Sequence, residues 1–178
     1  MIPFDDHPNL EDDRYRMRPL ASTDKAALYR AASDPEIWKV HPSRDRWKPE
    51  VFGPYFEFLL NAGGTRVLID KQSEQVIGCS RYYPTPDIAN SISIGFTFVA
   101  RTYWGGETNR AMKSLMLAHA FRSFDEVWLH IGPDNIRSQK ATLKLGAEYR
   151  YDADLDVGAG ITAMKCYCLT RAVWMSRQ

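Results

Sequence analysis

The chain has 178 residues, 44% of them hydrophobic, which suits one domain with a sizeable core and no need of cross-links. Its 23 basic and 22 acidic residues leave a net charge of +1, so no whole-molecule field draws it to DNA, RNA or an acidic membrane. A phosphate-rich ligand would need a local patch instead.

The three cysteines, Cys79, Cys166 and Cys168, are odd in number and include no C-x-x-C pair, which argues against a disulfide framework or a structural zinc and for thiols in a reducing cytoplasm. No stretch approaches the ~20 apolar residues of a membrane span. The opening Met1-Ile2-Pro3 soon meets Asp5 and Asp6, unlike a signal peptide. Residues 1–13 are acidic and aperiodic and are expected to be a flexible arm. Residues 14–178 are expected to be a single domain.

Residues 15–19 read as a short strand. Ser22-Thr23-Asp24 then caps a helix over 25–32. Asp34-Pro35-Glu36 starts a further helical turn with Ile37 and Trp38, and 40–47, which holds His41, is loop. Pro49 suits a first helical position. Val51, Tyr55, Phe58, Leu59 and Ala62 recur at helical spacing until Gly63-Gly64 ends the run. Phe52 and Phe56 widen this apolar face, which suggests contact on two sides.

Residues 66–71 and 76–83 form a hairpin around a polar turn. After a loop over 84–90 comes the clearest period-2 signal of the chain. Ile92, Ile94, Phe96 and Phe98 fall on one face, and Ser93, Gly95 and Thr97 on the other. Trp104-Gly105-Gly106 precedes a helix over about 107–121 with Met112, Leu115, Met116 and His119 as its stripe. A buried strand over 127–131, a short helix over 135–145 closed by Gly146, and strands over 148–155 and 161–173 complete the chain. The turn between those last strands is Val157-Gly158-Ala159-Gly160. This order predicts an α/β (α+β) fold: a mixed, mainly antiparallel twisted sheet of about seven strands with helices on both faces.

The chemistry concentrates between residues 91 and 146. Two glycines before a helix let the backbone turn tightly, and the helix start offers unpaired N–H groups and a positive dipole end. Together they suit a pyrophosphate. Thr108 and Asn109 add donors, and Arg101 adds charge. The pattern is neither a Walker loop nor a dinucleotide fingerprint, since no Gly-Lys-Ser/Thr and no third glycine follow. In Pro133-Asp134-Asn135-Ile136-Arg137-Ser138, Asn135 and Ser138 share a helix face. The alternative for this run is a helix cap.

Tyr103-Trp104-Gly105-Gly106, then Asp134-Asn135-x-x-Ser138, then Lys144-Leu145-Gly146-Ala147 resemble three blocks of the GNAT acetyltransferase superfamily, in the branch related to ribosomal-protein N-terminal acetyltransferases. The resemblance implies a GNAT-like fold and acetyl-CoA as co-substrate, with no metal. It further implies that the strand ending at Phe98-Val99 splays from the strand of Val127, with the pantetheine arm paired along the exposed edge. Backbone N–H near Phe98 would face the acetyl carbonyl. The loop from Trp104 through Gly105 and Gly106 to Thr108 and Asn109 would cradle the pyrophosphate. Asn135 would bond the pantetheine, and Ser138 would lie near the sulfur. Arg101, Arg137 and Lys140 are candidates for the 3′-phosphate side.

The sequence departs from the family pattern in two ways. Glu107 stands in the pyrophosphate loop, where it repels the ligand unless it turns to water or meets Arg110 or Arg101. Ser93 stands where many relatives have a glutamate base. The site must then use water, another residue, or little base assistance. An α-amine of pKa ~7.7–8.0 is roughly a tenth neutral at pH 7, and a lysine far less. An N-terminal or small weakly basic amine, free or at the end of a peptide or protein, is therefore the expected acceptor. By residue type the candidate bases are His41 and His130; His119 reads as core. Ser138, then Tyr149, is the candidate acid for the leaving thiolate. Trp38, Trp47, Tyr55, Tyr82 and Tyr83 could line an aromatic cleft. The rivals are a non-catalytic acyl-CoA-binding module and a scaffold domain of the same fold. No nucleic-acid or membrane partner is expected. Oligomeric state stays open, a homodimer included.

Overall fold

A computed structural model describes residues 4–158 and 160–177. Met1, Ile2, Pro3, Ala159 and Gln178 lie outside the described residues, and with them the chain's opening tripeptide and one residue of the expected 157–160 turn. The described strands are β1 (Leu10–Glu11), β2 (Tyr15–Pro19), β3 (Thr65–Asp70), β4 (Gln75–Pro84), β5 (Ile92–Val99), β6 (Glu126–Ile131), β7 (Glu148–Asp156) and β8 (Ile161–Thr170). They form one sheet in the order β1-β2-β3-β4-β5-β6-β8-β7, antiparallel at every junction except β5–β6. The helices are α1 (Lys25–Ala32), α2 (Pro49–Ala62), α3 (Thr108–Ala120), α4 (Ile136–Lys144) and α5 (Arg171–Met175).

Each face of the sheet buries its own core. On one face Met112, Met116 and Leu117 of α3 pack on Met17, Leu68, Tyr82, Ile92 and Ile94. On the other, Leu28 and Ala32 of α1 and Phe52, Phe56 and Leu59 of α2 pack on Val67, Ile69, Cys79 and Phe98. Burial of these apolar side chains is the main drive to this arrangement. The mixed fold expected from the element order is the fold observed.

Four details differ from the sequence reading. First, part of the expected arm is laid down on the domain. Leu10 and Glu11 pair with Met17 and Arg16 and add an eighth strand. Phe4 sits edge-on to Tyr82 and Phe124, at 5.2 and 5.0 Å between ring centroids. These anchors are single residues, too brief to show a period.

Second, the alternation of 92–98 is broken. The β4–β5 register jumps from Cys79↔Phe98 to Arg81↔Gly95, so Ser80 alone faces Phe96 and Thr97. This is a β-bulge, and Phe96 has φ +52°. The extra residue turns β5 over. Ile92 and Ile94 pack toward α3, whereas Phe96 and Phe98 pack toward α1 and α2.

Third, the last strand stops at Thr170, whose hydroxyl accepts from Val173 N at 3.3 Å and starts α5. Fourth, His119 is half-buried rather than in the core. Its Nε2 bonds the carbonyl of Asp5 at 2.7 Å.

β7 forms an outer edge of the sheet and is exposed along most of its length. Arg150, Asp152, Asp154 and Asp156 stand on it.

The start of α3 is pinned from across the sheet. Tyr15 Oη and Thr108 Oγ1 lie 2.7 Å apart, and both side chains are buried. Removing one hydroxyl strands the other without water. Tyr15→Phe should therefore lower the unfolding free energy by about 1–2 kcal/mol. The pair Tyr15→Phe with Thr108→Val should recover part of that loss. Urea unfolding of the wild type and the three variants measures both.

Candidate functional site

Pairing between β5 and β6 is confined to Ile92↔Val127 and Ser93↔Trp128. Beyond them the strands part, leaving a gap between residues 94–99 of β5 and 129–131 of β6. The far edge of β6 stays fully paired to β8 from Glu126 to Ile131. The divergence therefore belongs to β5, which bends at its bulge.

Ala100 N donates to Ile77 O at 2.7 Å. Successive residues of an antiparallel ladder alternate in direction. Phe98 therefore turns its amide to β4, and Val99 turns its peptide groups to the gap. On the stretch expected near Phe98-Val99, the peptide groups that face the gap are those of Val99. The Val99 carbonyl accepts from Trp104 Nε1 at 2.9 Å.

Arg101 to Tyr103 form a single 3-10 turn, and Gly105 takes φ +76°, a region that glycine enters without steric cost. The backbone amides from Gly105 to Arg110 make no hydrogen bond with any described residue. Turn and helix N-terminus thus present a row of free donors, which is a setting for an anion. Thr108 contributes only its amide, because its hydroxyl is spent on Tyr15. Asn109 lies in the first turn of α3. Glu107 is exposed and lies 3.6 Å from Arg110, which offsets its charge. Arg101 pairs with Asp34 at 3.5 Å.

On the other side of the gap α4 begins with a cap. Asn135 Oδ1 accepts from Ser138 N at 3.2 Å. Asn135 thus takes the capping role that the sequence left as its alternative. The Ser138 hydroxyl bonds no described residue. Arg137 lies over the Trp104 ring at 3.8 Å and donates to Ile37 O at 3.3 Å. Together Trp104 and Arg137 bridge the mouth of the gap.

His130 on β6 and Tyr83 on β4 meet on the face that α1 and α2 cover. Nδ1 of His130 is 2.8 Å from Tyr83 Oη. Beside them the Ser93 hydroxyl donates to Thr85 Oγ1 at 2.9 Å. Which of His130 Nδ1 and Tyr83 Oη donates depends on the ring tautomer, and Nε2 bonds no described residue. Burial lowers the His130 pKa to about 4, so the ring is neutral near pH 7.

The other histidine of interest is occupied. His41 Nδ1 accepts from Ser43 N at 2.9 Å, and Arg46 Nη1 lies 3.4 Å from Nε2. Burial and then the Arg46 and Arg137 charges lower it to about 3. Tyr149 is not brought to the gap. It lies on β7, beyond β6 and β8, on the order of 10 Å from the β6 edge at ordinary strand spacing. It is exposed, packing on Tyr167. Trp38, Tyr55 and Tyr82 are core residues rather than cleft lining.

Two residues escaped the sequence reading. Arg81 is buried against Phe58, Tyr83 and Phe96 and donates to the carbonyls of Gly63 and Ala62, closing the end of α2. Lys113 is buried on α3, and burial brings its pKa down to about 7. The signal for Lys113 was a charge inside the helix's apolar arc, next to Met112 and three before Met116.

The two neutral histidines predict a pH dependence of stability. Their folded pKa values lie below the ordinary 6.5, so the unfolded chain binds protons first as pH falls. Their contribution is complete above about pH 6.5 and is lost as pH drops toward about 4. The slope for each histidine cannot exceed about 1.4 kcal/mol per pH unit. His130→Gln should flatten the fall between about pH 6.5 and pH 4, as measured by urea midpoints.

Residues 14–148 match the model of the acetyltransferase (GNAT) domain. No curated protein matches the sequence. The fold is shared with a GCN5-related N-acetyltransferase from Brucella melitensis, at TM-score 0.80 and 15% identity, covering 97% of this chain and 83% of that one. It is shared with Mycobacterium smegmatis RimJ in complex with CoA-disulfide, at TM-score 0.66 and 17% identity, over 93% and 87% of the chains. The ribosomal-protein-S5-alanine acetyltransferase from Vibrio fischeri gives TM-score 0.66 and 18% identity, over 94% and 98%. Matched over most of its length by that domain model, and built on the same sheet, the chain belongs to the GNAT acetyltransferases, a family of acyl-transferring enzymes.

Proposed function

We propose that the chain transfers an acetyl group from acetyl-CoA to a primary amine by direct attack in a ternary complex. The acceptor is an N-terminal α-amine or a small, weakly basic amine. One observation carries this reading: a parted pair of strands opens beside a row of unpaired amides on a turn and helix start. A diphosphate fits those amides by charge and by donor count, and an extended thioester arm fits the β5 edge. The Glu107 carboxylate is exposed and paired with Arg110, which offsets its charge beside the row.

Within that reading the amides of 105–110 hold the diphosphate, with Arg101 and Arg110 adding charge at the rim. Acetyl-CoA supplies the activated acyl group. The Val99 peptide groups and the unpaired bulge peptide line the β5 edge where the acyl carbonyl would lie and would polarise it. The Trp104 indole holds the Val99 carbonyl that the arm would take, so binding must turn Trp104 aside. The Ser138 hydroxyl, which bonds no described residue, would donate to the leaving sulfur. Asn135 serves this step indirectly, by capping the turn that carries Ser138.

His130 is the base of this mechanism. In the tautomer in which Nδ1–H donates to Tyr83, Nε2 accepts a proton from the attacking amine while that bond holds the ring in place. A conjugate acid of pKa about 4 is weak for that task. Such a base suits an amine whose neutral form is already appreciably populated, which favours an α-amine over lysine. The Vibrio fischeri protein is described as acting on an alanine of ribosomal protein S5, which supports a protein N-terminus as the acceptor class. The described cysteines are buried and unpaired, in keeping with a reducing cytoplasm. No described helix is long and apolar enough to cross a membrane.

The Trp104–Arg137 bridge favours a second reading, a module that binds acyl-CoA without turnover. Calorimetry with CoA and thiol release across a panel of peptides and small amines separate the two. Acetyl transfer should be faster to N-terminal than to lysine amines. His130→Gln should cut kcat by roughly 10–100-fold, and Ser138→Ala by roughly tenfold with CoA affinity kept. Binding without turnover on any amine would select the second reading. Faster turnover on lysine would remove the argument from a weak base.

A further inference from the structure

We infer that Lys113 is a positioning residue for acyl transfer, fixing from the α3 side the β5 bulge that shapes the thioester edge. The inference rests on the proposed acyl-transfer reading for its functional consequence, though not for its structural part. Lys113 is 6% exposed and sits on the buried arc of α3 with Met112, Met116 and Leu117. Its Nζ donates to Thr97 Oγ1 at 2.8 Å and lies 3.5 Å from Ser80 Oγ. No carboxylate among the described residues bonds it. A buried amine satisfied only by hydroxyls costs stability that a methionine in its place would not.

Its partners explain what it does there. Thr97 is one of the two bulge residues of β5, and Ser80 is the β4 residue that faces both. Their hydroxyls are 2.7 Å apart, and each reaches toward the Gly95 carbonyl at 3.4 Å. Lys113 thus ties together the two strands where the ladder loses its register. A bulge can relax by passing its extra residue along the strand. One step of that kind would turn a residue beside the bulge to the other face of the sheet and redirect the peptide groups at the gap. Phe96, held at φ +52°, adds a reason to relax. The hydroxyl pair locked by Lys113 opposes the shift. Lys113 lies on the α3 face of the sheet, away from His130 and Tyr83, so it acts through the backbone and not on the acceptor.

The test uses Lys113→Met and Thr97→Val in the full chain, with Thr97→Ser as the variant that keeps the hydroxyl. In ligand-free protein, amide hydrogen exchange at Gly95, Phe98 and Ala100 should quicken by roughly tenfold or more in Lys113→Met and Thr97→Val. It should stay near wild type in Thr97→Ser and along β6 in all three. With acetyl-CoA and an acceptor, kcat should fall roughly tenfold or more in the first two, while KM for acetyl-CoA changes by less than about threefold. Unchanged exchange in the folded variants overturns the inference, as does faster exchange with kcat intact. If Lys113→Met does not fold, Thr97→Val decides alone. A wild type that binds CoA but transfers nothing would sink the transferase reading, and the exchange data would still settle whether Lys113 holds the bulge.

Discussion

A single extra residue in β5 governs the architecture of this protein. The bulge opposite Ser80 bends the strand, and the bend ends its pairing with β6 after Ser93. The same residue reverses which face the following side chains occupy, so Phe98 joins the α1–α2 core while Ile94 remains under α3. An unbroken ladder would have sealed the sheet at this point, leaving no edge for a ligand to pair with. The gap is therefore a product of strand irregularity and not of missing side chains.

Around that gap the protein places three kinds of polar group by three different devices. The amides of 105–110 are left free by a glycine turn and a helix start, positions where the helix itself offers no partner. His130 is kept neutral by burial and oriented by Tyr83. Ser138 is carried by the capped first turn of α4. No carboxylate base enters this set, which is why the proposed acceptor is an amine with an appreciable neutral fraction.

Much of this could be read from local sequence because local physics decides it. Pro49 and Gly63-Gly64 bound α2 as expected, since a fixed φ and a left-handed glycine punctuate helices wherever they occur. The Trp104-Gly105-Gly106 turn and the Asn135–Ser138 cap were legible for the same reason. The bulge was not. Ile92, Ile94, Phe96 and Phe98 alternate without a flaw, and only the opposing strand reveals that the pairing slips. Phe4 and the short β1 strand were hidden because tertiary contacts, not periodicity, hold them. Lys113 and Arg81 went unread because a charged residue in an apolar pattern looks like surface until its partners are known. Tyr149 was placed by its sequence distance from Gly146, which says nothing about the β8 strand that separates it from the gap.

The outer edge of β7 bears on how this protein behaves among copies of itself. A nine-residue strand paired only on its β8 side among the described residues is a ready template for another chain. Aspartates at 152, 154 and 156 recur at every second position, so they line one side of that edge. Two molecules meeting there, strand to strand, would oppose carboxylate to carboxylate along the row. Crowding alone should not drive this sheet to extend itself into a fibril, whereas replacing those acids by neutral residues would remove the barrier.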